Sequence, residues 1–449
     1  MKTSLRIAVS VAAFGTLSGM DGTLQAGQAK SASGAVTYHE HVAPILRKNC
    51  ETCHRPAGKN VGGLTAPMSL RTYAEARPWA RAIATKVEAR EMPPWFAEEP
   101  RGVFKNEKRL TDDEVRTILA WVKGGAPEGD RSRALPPQAE TTEVDNDGWS
   151  LGKPDIIVRL PEPYLVKDED QDVQGTFAVK LTRDVLPQDV TVRAWEFRAG
   201  TYSAAQNNAV HHMCGGVHPP GADVTASSQR SGDEGGKELA SLGCSAGGAE
   251  PFELPEGFGR KLMVGGTVTM GMHYYKPAGP GTAFKNQPEI GFYLARGPVR
   301  HIVDTRSIGT RAFEIPPFHS HYPVAAATTL KKDTLVFALW PHAHLRGKTA
   351  RYTAVYPDGR RELLLDVPRY DQSWQVTYQY REPKLLPKGT RVEVLMHFDN
   401  SAVRAAKRGF KPDIPVWFGP RTQDEMMLGF FTYAEIEPTK VVPVTARRQ

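Results

Sequence analysis

The sequence predicts a multidomain chain: a small all-α domain near the N-terminus, then an all-β body with room for two sandwich domains. Three observations predict it. A Cys-x-x-Cys-His run, Cys50-Glu51-Thr52-Cys53-His54, sits among helix-patterned segments. From Trp149 onward, short runs alternate apolar and polar residues between proline and glycine turns, the period of half-buried strands. The chain of 449 residues is long enough for about three domains of ~150 residues.

The first 29 residues read as a secretory signal peptide. Lys2 and Arg6 precede an apolar segment from Ile7 to about Leu17, and Gly27-Gln28-Ala29 offers a small-residue cleavage site. That run is too short to span a bilayer, and no other stretch is apolar enough. The mature chain is therefore expected to be periplasmic or secreted, with no membrane span. The net charge of +7 is spread along the chain, without a dense basic tract interleaved with aromatics. That argues against a nucleic-acid partner. The 35 prolines and 41 glycines suit loops and β structure.

Residues 36–128 form the predicted helical domain. Cys-x-x-Cys-His is the attachment pattern of haem c: Cys50 and Cys53 bond the porphyrin and His54 becomes the proximal iron ligand. A redox-active Cys pair or half a zinc site are the competing readings. Met92, in the proline-stiffened Glu91-Met92-Pro93-Pro94-Trp95, is the candidate sixth ligand, with Met68 as its rival. A capping box at Thr111 and Glu114 predicts a helix with Val115, Ile118, Leu119 and Val122 on one face, stopped by Gly124-Gly125. From Tyr38 through Pro127 the pattern resembles the small class I cytochromes c. Residues 129–150, polar and containing Pro136-Pro137, read as a flexible linker.

The body carries the strand signals. Thr191–Phe197, Thr267–Met272 and Thr390–Phe398 alternate, and Tyr356-Pro357-Asp358-Gly359 reads as a hairpin turn between Ala350–Val355 and Arg361–Asp366. Leu335–Trp340 is an apolar strand leading into His342-Ala343-His344. Residues i and i+2 of a strand share a face, so the two imidazoles could serve one metal. His211 and His212 are adjacent, so joint ligation there requires a bulge or a strand end. His273 lies on another predicted strand. Asp424-Glu425-Met426-Met427 could add a thioether to His342 and His344, a set that suits copper and not zinc. Cys214 and Cys244 could close a disulfide in an oxidising compartment.

Taken together, these motifs resemble the copper type II, ascorbate-dependent monooxygenases, the family of the peptidylglycine α-hydroxylating and dopamine β-monooxygenases. The resemblance implies two β-sandwich domains, here residues 151–305 and 306–449, each holding one copper ion. It assigns His211, His212 and His273 to the first copper, and His342, His344 and Met426 to the second, where O2 would react. It also implies the Cys214–Cys244 disulfide. The peptide-amidating members anchor a substrate carboxylate with Arg, Asn and Tyr where this chain has Trp340, Leu428 and Phe430. A more apolar small-molecule substrate is expected. His319-Ser320-His321 is the rival His-x-His, His397 reads as structural, and His218 as an exposed loop residue.

The expected activity is hydroxylation of a substrate C–H bond with O2, with electrons passed from a periplasmic donor through the fused haem. The alternative is a non-catalytic haem and copper electron-transfer or copper-binding protein. A zinc hydrolase is a third reading.

Overall fold

The computed structural model describes residues 34–51, 53–54, 68–136, 149–198, 200, 209–222, 224, 241–245, 251–419 and 421–437, the side chains of His211 and Ser245 excepted. The predicted signal segment 1–29 and linker residues 137–148 lie outside this set. From Val36 the chain forms one compact unit, with helices first and β-sheets after. Among the described residues no helix is long and apolar enough to cross a membrane.

The helical part is small. Tyr38–Val42 forms a wide π-helical turn that runs into α1 (Ala43–Asn49). Then come α2 (Tyr73–Ala76), α3 (Ala80–Glu88) and α4 (Asp112–Lys123). The predicted capping box is present: Thr111 Oγ1 accepts from the Glu114 N–H at 3.1 Å, and the Glu114 carboxylate accepts from the Thr111 N–H at 2.7 Å. Val115 and Ile118 are buried as predicted, while Leu119 and Val122 are only partly so. The fully buried ring on this helix is Trp121, whose Nε1–H donates to the Pro127 carbonyl at 3.0 Å. Tyr38, Leu46, Leu70, Ala80 and Trp121 make the core of this part.

The first β region contains β1 (Ile156–Arg159), β2 (Tyr164–Val166), β3 (Asp172–Lys180), β4 (Val190–Arg198), β5 (Val210–His218), β6 (Ser241–Ser245), β7 (Phe252–Glu253), β8 (Phe258–Leu262), β9 (Thr267–Tyr275), β10 (Phe284–Asn286), β11 (Glu289–Leu294) and β12 (His301–Ile302). One sheet runs β1-β11-β4-β8-β12 with β7 beside β4, and another runs β3-β9-β5-β6. They meet face to face around a shared core that includes Val192, Trp195, Met213, Met270 and Phe292. The contact is close: a Cβ at Gly215 would run into the Phe197 ring and Ile290 of the opposite sheet.

The second β region contains β13 (Asp304–Thr310), β14 (Glu314–Ile315), β15 (Tyr322–Thr329), β16 (Asp333–His342), β17 (Gly347–Val355), β18 (Arg361–Val367), β19 (Tyr378–Leu386), β20 (Arg391–Phe398), β21 (Val416–Trp417) and β22 (Met427–Ile436). Its main sheets run β13-β22-β16-β19 and β15-β20-β17-β18. Val336, Leu339 and Phe431 from one sheet pack with Tyr352, Val394 and Phe398 from the other. The predicted hairpin joins β17 to β18, with Gly359 at φ 85° in its turn. The other face of β16 and β22 meets the first β region, where Phe337 and Ala434 join that region's core.

The linker is not the sole connection between the helical part and the body. After α3 the chain crosses to the second β region. Trp95, Phe96, Ala97 and Phe104 are buried in its core. Phe104 lies 5.0 Å from the Tyr380 ring and 5.6 Å from the Tyr378 ring. The Glu98 N–H donates to the Asp366 carbonyl and the Asp366 N–H to the Glu99 carbonyl, both at 2.8 Å. The Lys105 N–H likewise meets the Gln379 carbonyl at 2.8 Å, and the Arg381 N–H the Val103 carbonyl at 2.7 Å.

Candidate metal centre

The sequence order of the candidate ligands becomes three clusters. The first follows α1. The His54 and Cys53 N–H groups both donate to the Cys50 carbonyl, at 2.8 and 3.1 Å, so Cys50, Cys53 and His54 share one tight turn. The His54 Nδ1–H donates to the Met68 carbonyl at 3.2 Å. That bond fixes the ring and presents Nε2 for coordination, the usual arrangement of a metal-bound histidine. Burial holds the imidazole below its ordinary pKa, the Met68 bond opposing. Cys50 and Cys53 are not joined to each other. This bond places the Met68 backbone on the Nδ1 side of the His54 ring. Met92 lies half-buried just past α3, its N–H on the Lys86 carbonyl at 3.2 Å.

The second cluster spans β5 and β9. Their ladder pairs Val210 with Tyr274 and His212 with His273, so a register shift leaves His211 as the extra residue. This is the bulge that joint ligation by adjacent histidines needs. The His212 and His273 rings sit 4.9 Å apart, edge to face. His273 Nε2 bonds the Asp172 carboxylate at 2.6 Å, so Nδ1 is the nitrogen through which His273 could coordinate. Cys214, two residues after His212, is bonded to Cys244 on β6.

The third cluster lies where β16 ends. His342 closes the strand and His344 falls in the loop after it, their rings 5.2 Å apart and nearly perpendicular. The His342 Nδ1–H donates to Gln375 Oε1 at 2.7 Å, and the His344 Nδ1–H to the Asp424 carbonyl at 3.1 Å. In both rings Nδ1 is thus engaged, which leaves Nε2 as the nitrogen through which either could coordinate. The β16–β22 ladder pairs Trp340 with Phe430 and His342 with Leu428. Met426 immediately precedes β22 and packs with Trp340, Leu428 and Phe430.

A buried carboxylate locks this arrangement. Glu425 accepts from the His344 N–H at 2.8 Å, the Arg346 N–H at 2.6 Å and the Met426 N–H at 3.3 Å. Burial pushes its carboxyl up to about 7, against the pull of those N–H groups and the Arg346 guanidinium. Burial, and then the neighbouring His342, push the His344 imidazole down to about 3, which keeps it neutral as a ligand must be. Tyr370 braces the turn from the other side, its hydroxyl accepting from the Ala343 N–H at 3.0 Å and donating to the Ala343 carbonyl at 2.9 Å.

Trp340 and Phe430 stack at 4.2 Å and form an apolar wall with Met426 and Leu428. The Cys214–Cys244 disulfide packs against that wall. Gln174, paired with His273 across β3 and β9, reaches Thr422 Oγ1 at 2.6 Å. The second and third clusters therefore belong to surfaces of the two β regions that touch.

Among the described residues no three His, Cys, Asp or Glu side chains converge as a metal site. One candidate uses a thioether, and the other includes His211, whose side chain is not described. Two surface cavities, about 310 and 590 Å³, include none of the candidate ligands.

The rival histidines are placed elsewhere. His319 and His321 are exposed; the His321 ring stacks on His397 at 3.9 Å, while His319 turns to Tyr322. His397 Nδ1 bonds Thr349 Oγ1 at 2.8 Å. His218 corrects its expectation. It closes β5, is 8% exposed, and its Nε2 meets Thr269 Oγ1 at 2.9 Å. The Val-His-Pro-Pro run suggested a loop, but the prolines begin one residue after the strand ends. Gln375, Asp172 and Tyr370 were not singled out from sequence, and no local motif marks them; Glu425 was named only as part of the Asp-Glu-Met run, without its role as acceptor for the His344 and Arg346 N–H groups.

Residues 41–126 match the cytochrome c family. This part of the chain is a cytochrome c domain, which supports haem c and an electron-transfer role. No curated protein matches the chain. Among solved structures, the major capsid protein P2 of bacteriophage PM2 is 8% identical, over 64% of this chain and 100% of its own, with a TM-score of 0.26. The infectious bursal disease virus Gx strain structure is 9% identical over 62% and 73%, with a TM-score of 0.19. A Paenibacillus xanthan lyase is 8% identical over 62% and 25%, with a TM-score of 0.16. Scores this low carry no argument about the body.

Proposed function

We propose that this chain is an exported copper-dependent monooxygenase fed by its own cytochrome c domain, hydroxylating a C–H bond of an apolar small molecule. One observation carries the reading: the His342 and His344 imidazoles sit 5.2 Å apart with both Nδ1 atoms engaged, and Met426, just before β22, packs in the apolar cluster of Trp340, whose ring lies 6.3 Å from that of His342. Two imidazoles and a thioether suit copper in either oxidation state, and the thioether disfavours zinc and with it a hydrolase. The His211 bulge beside His212 and His273 supports a second copper. The body then reads as two sandwiches of the copper type II monooxygenase kind, residues 151–305 and 306–449.

In this reading copper at His342, His344 and Met426 supplies O2 activation. One oxygen atom goes into the substrate and the other leaves as water, at a cost of two electrons and two protons. The chain's own residues prepare the site. Gln375 and the Asp424 carbonyl hold the ring tautomers, and Glu425 ties the His344 loop to Met426. Trp340 and Phe430 offer an apolar surface where a carboxylate-binding pair would otherwise stand. Haem c held by Cys50, Cys53 and His54, with Met92 as sixth ligand, supplies electrons drawn from a periplasmic donor.

Metal analysis with copper EPR of the wild type, His342→Ala and Met426→Ile tests this. The expected result is one haem and two coppers, with one copper signal perturbed by either substitution. A single copper, or an unchanged spectrum for Met426→Ile, refutes it. The cytochrome c match by itself favours the second reading, a non-catalytic haem and copper electron carrier. Substrate-dependent O2 consumption separates the two.

A further inference from the structure

The segment that docks the cytochrome c domain on the body leads toward His342. Met92 is followed by two prolines and then Trp95, which is 6% exposed. The Trp95 ring meets the Tyr378 ring edge to face at 4.9 Å. Tyr378 is 2% exposed and pairs with Leu339 on β16, the strand that ends in His342. Three residues before Tyr378 stands Gln375, 1% exposed, bonded to His342 Nδ1. Asn106 clamps the intervening stretch, its Nδ2–H donating to the Thr377 carbonyl at 2.7 Å and its Oδ1 accepting from the Gln379 N–H at 3.1 Å. In the first β region the same segment meets β7, where Lys105 Nζ donates to the Glu253 carbonyl at 3.2 Å. β7 carries no candidate ligand.

We infer that Trp95, Tyr378 and Gln375 are positioning residues of an electron route running from the cytochrome c domain to the His342 centre, without passing through the His211, His212 and His273 centre. The inference rests on the copper reading above. Each transfer oxidises one ferrous haem to ferric and reduces one cupric ion to cuprous, with no bond made or broken. A one-electron donor protein re-reduces the haem. The physical ground is packing. Tunnelling through bonded and close-packed atoms outruns tunnelling across gaps, and this path is buried from the Trp95 ring through Tyr378 to Gln375.

The test uses the full-length protein loaded with haem and cupric copper, without O2. The haem is reduced selectively by a laser flash in the presence of a one-electron photoreductant, which leaves the copper cupric, and its reoxidation is followed by its visible absorption. Trp95→Leu is expected to slow the fast phase at least tenfold, at unchanged copper content and haem midpoint potential, and Trp95→Phe to recover most of the rate. His273→Ala is expected to stop turnover but keep the fast phase. Hydrogen exchange at the Glu98 and Asp366 amides reports whether a variant is still docked. Tyr378→Phe, which keeps the ring contact, is expected to retain the rate and Tyr378→Leu to lose it. Loss of the fast phase in His273→Ala with its retention in Trp95→Leu overturns the route. Copper bound at His342 with no copper-dependent reoxidation in the wild type also overturns the route, but leaves the metal assignment standing. Absence of copper at His342 removes both.

Discussion

Phe104→Ala tests whether the cytochrome c domain and the second β region are one cooperative structure. Phe104 is 0% exposed, and its ring lies within 6.0 Å of Trp95, 5.6 Å of Tyr378 and 5.0 Å of Tyr380. Truncating a fully buried phenylalanine costs about 3–5 kcal/mol. Three aromatic partners place this site in the upper half, since such pairs add ~0.5–1.5 kcal/mol each beyond burial. For a domain of this size each kcal/mol lowers Tm by about 2–4 °C, so the body's transition should fall by on the order of 10 °C. Calorimetry of the full chain measures it, with Leu165→Ala, at a position 47% exposed, as the control. The Glu98 and Asp366 amides should exchange faster in the same variant. A shift no larger than the control's refutes the idea that Trp95, Phe96, Ala97 and Phe104 belong to the body's core.

Two further outcomes follow from the candidate centre. Gln375→Leu removes the acceptor that orients His342, and should weaken copper binding at that centre by roughly 10–100-fold, read by competitive copper titration. Replacing Cys214 and Cys244 together by serine opens a link across 30 residues. It should cost about 2–4 kcal/mol in urea unfolding.

Much of this was legible locally. The capping box at Thr111, the Gly359 hairpin and the strand before His342 are contiguous patterns, and each formed where its period placed it. The requirement for a bulge at His211 followed from strand geometry alone, and the ladder shifts there. What sequence does not carry is the pairing of distant segments. Gln375 reaches His342 because β19 lies beside β16, and nothing near Gln375 announces a ligand's partner. Trp95 and Phe104 are numbered within the cytochrome c domain, so their apolar character suggests a place in its core. They are buried instead against Tyr378 and Tyr380. His218 was misjudged because its two following prolines describe the turn, not the strand end that holds the imidazole.

The pairing of β16 with β22 also sets an order of assembly. His342 and His344 are synthesised well before Met426, and so is the loop whose N–H groups Glu425 satisfies. Until β22 is laid beside β16, the His344 and Arg346 amides lack the acceptor that Glu425 supplies. The turn that carries both imidazoles therefore takes its final form only when the last strand of the second β region is in place.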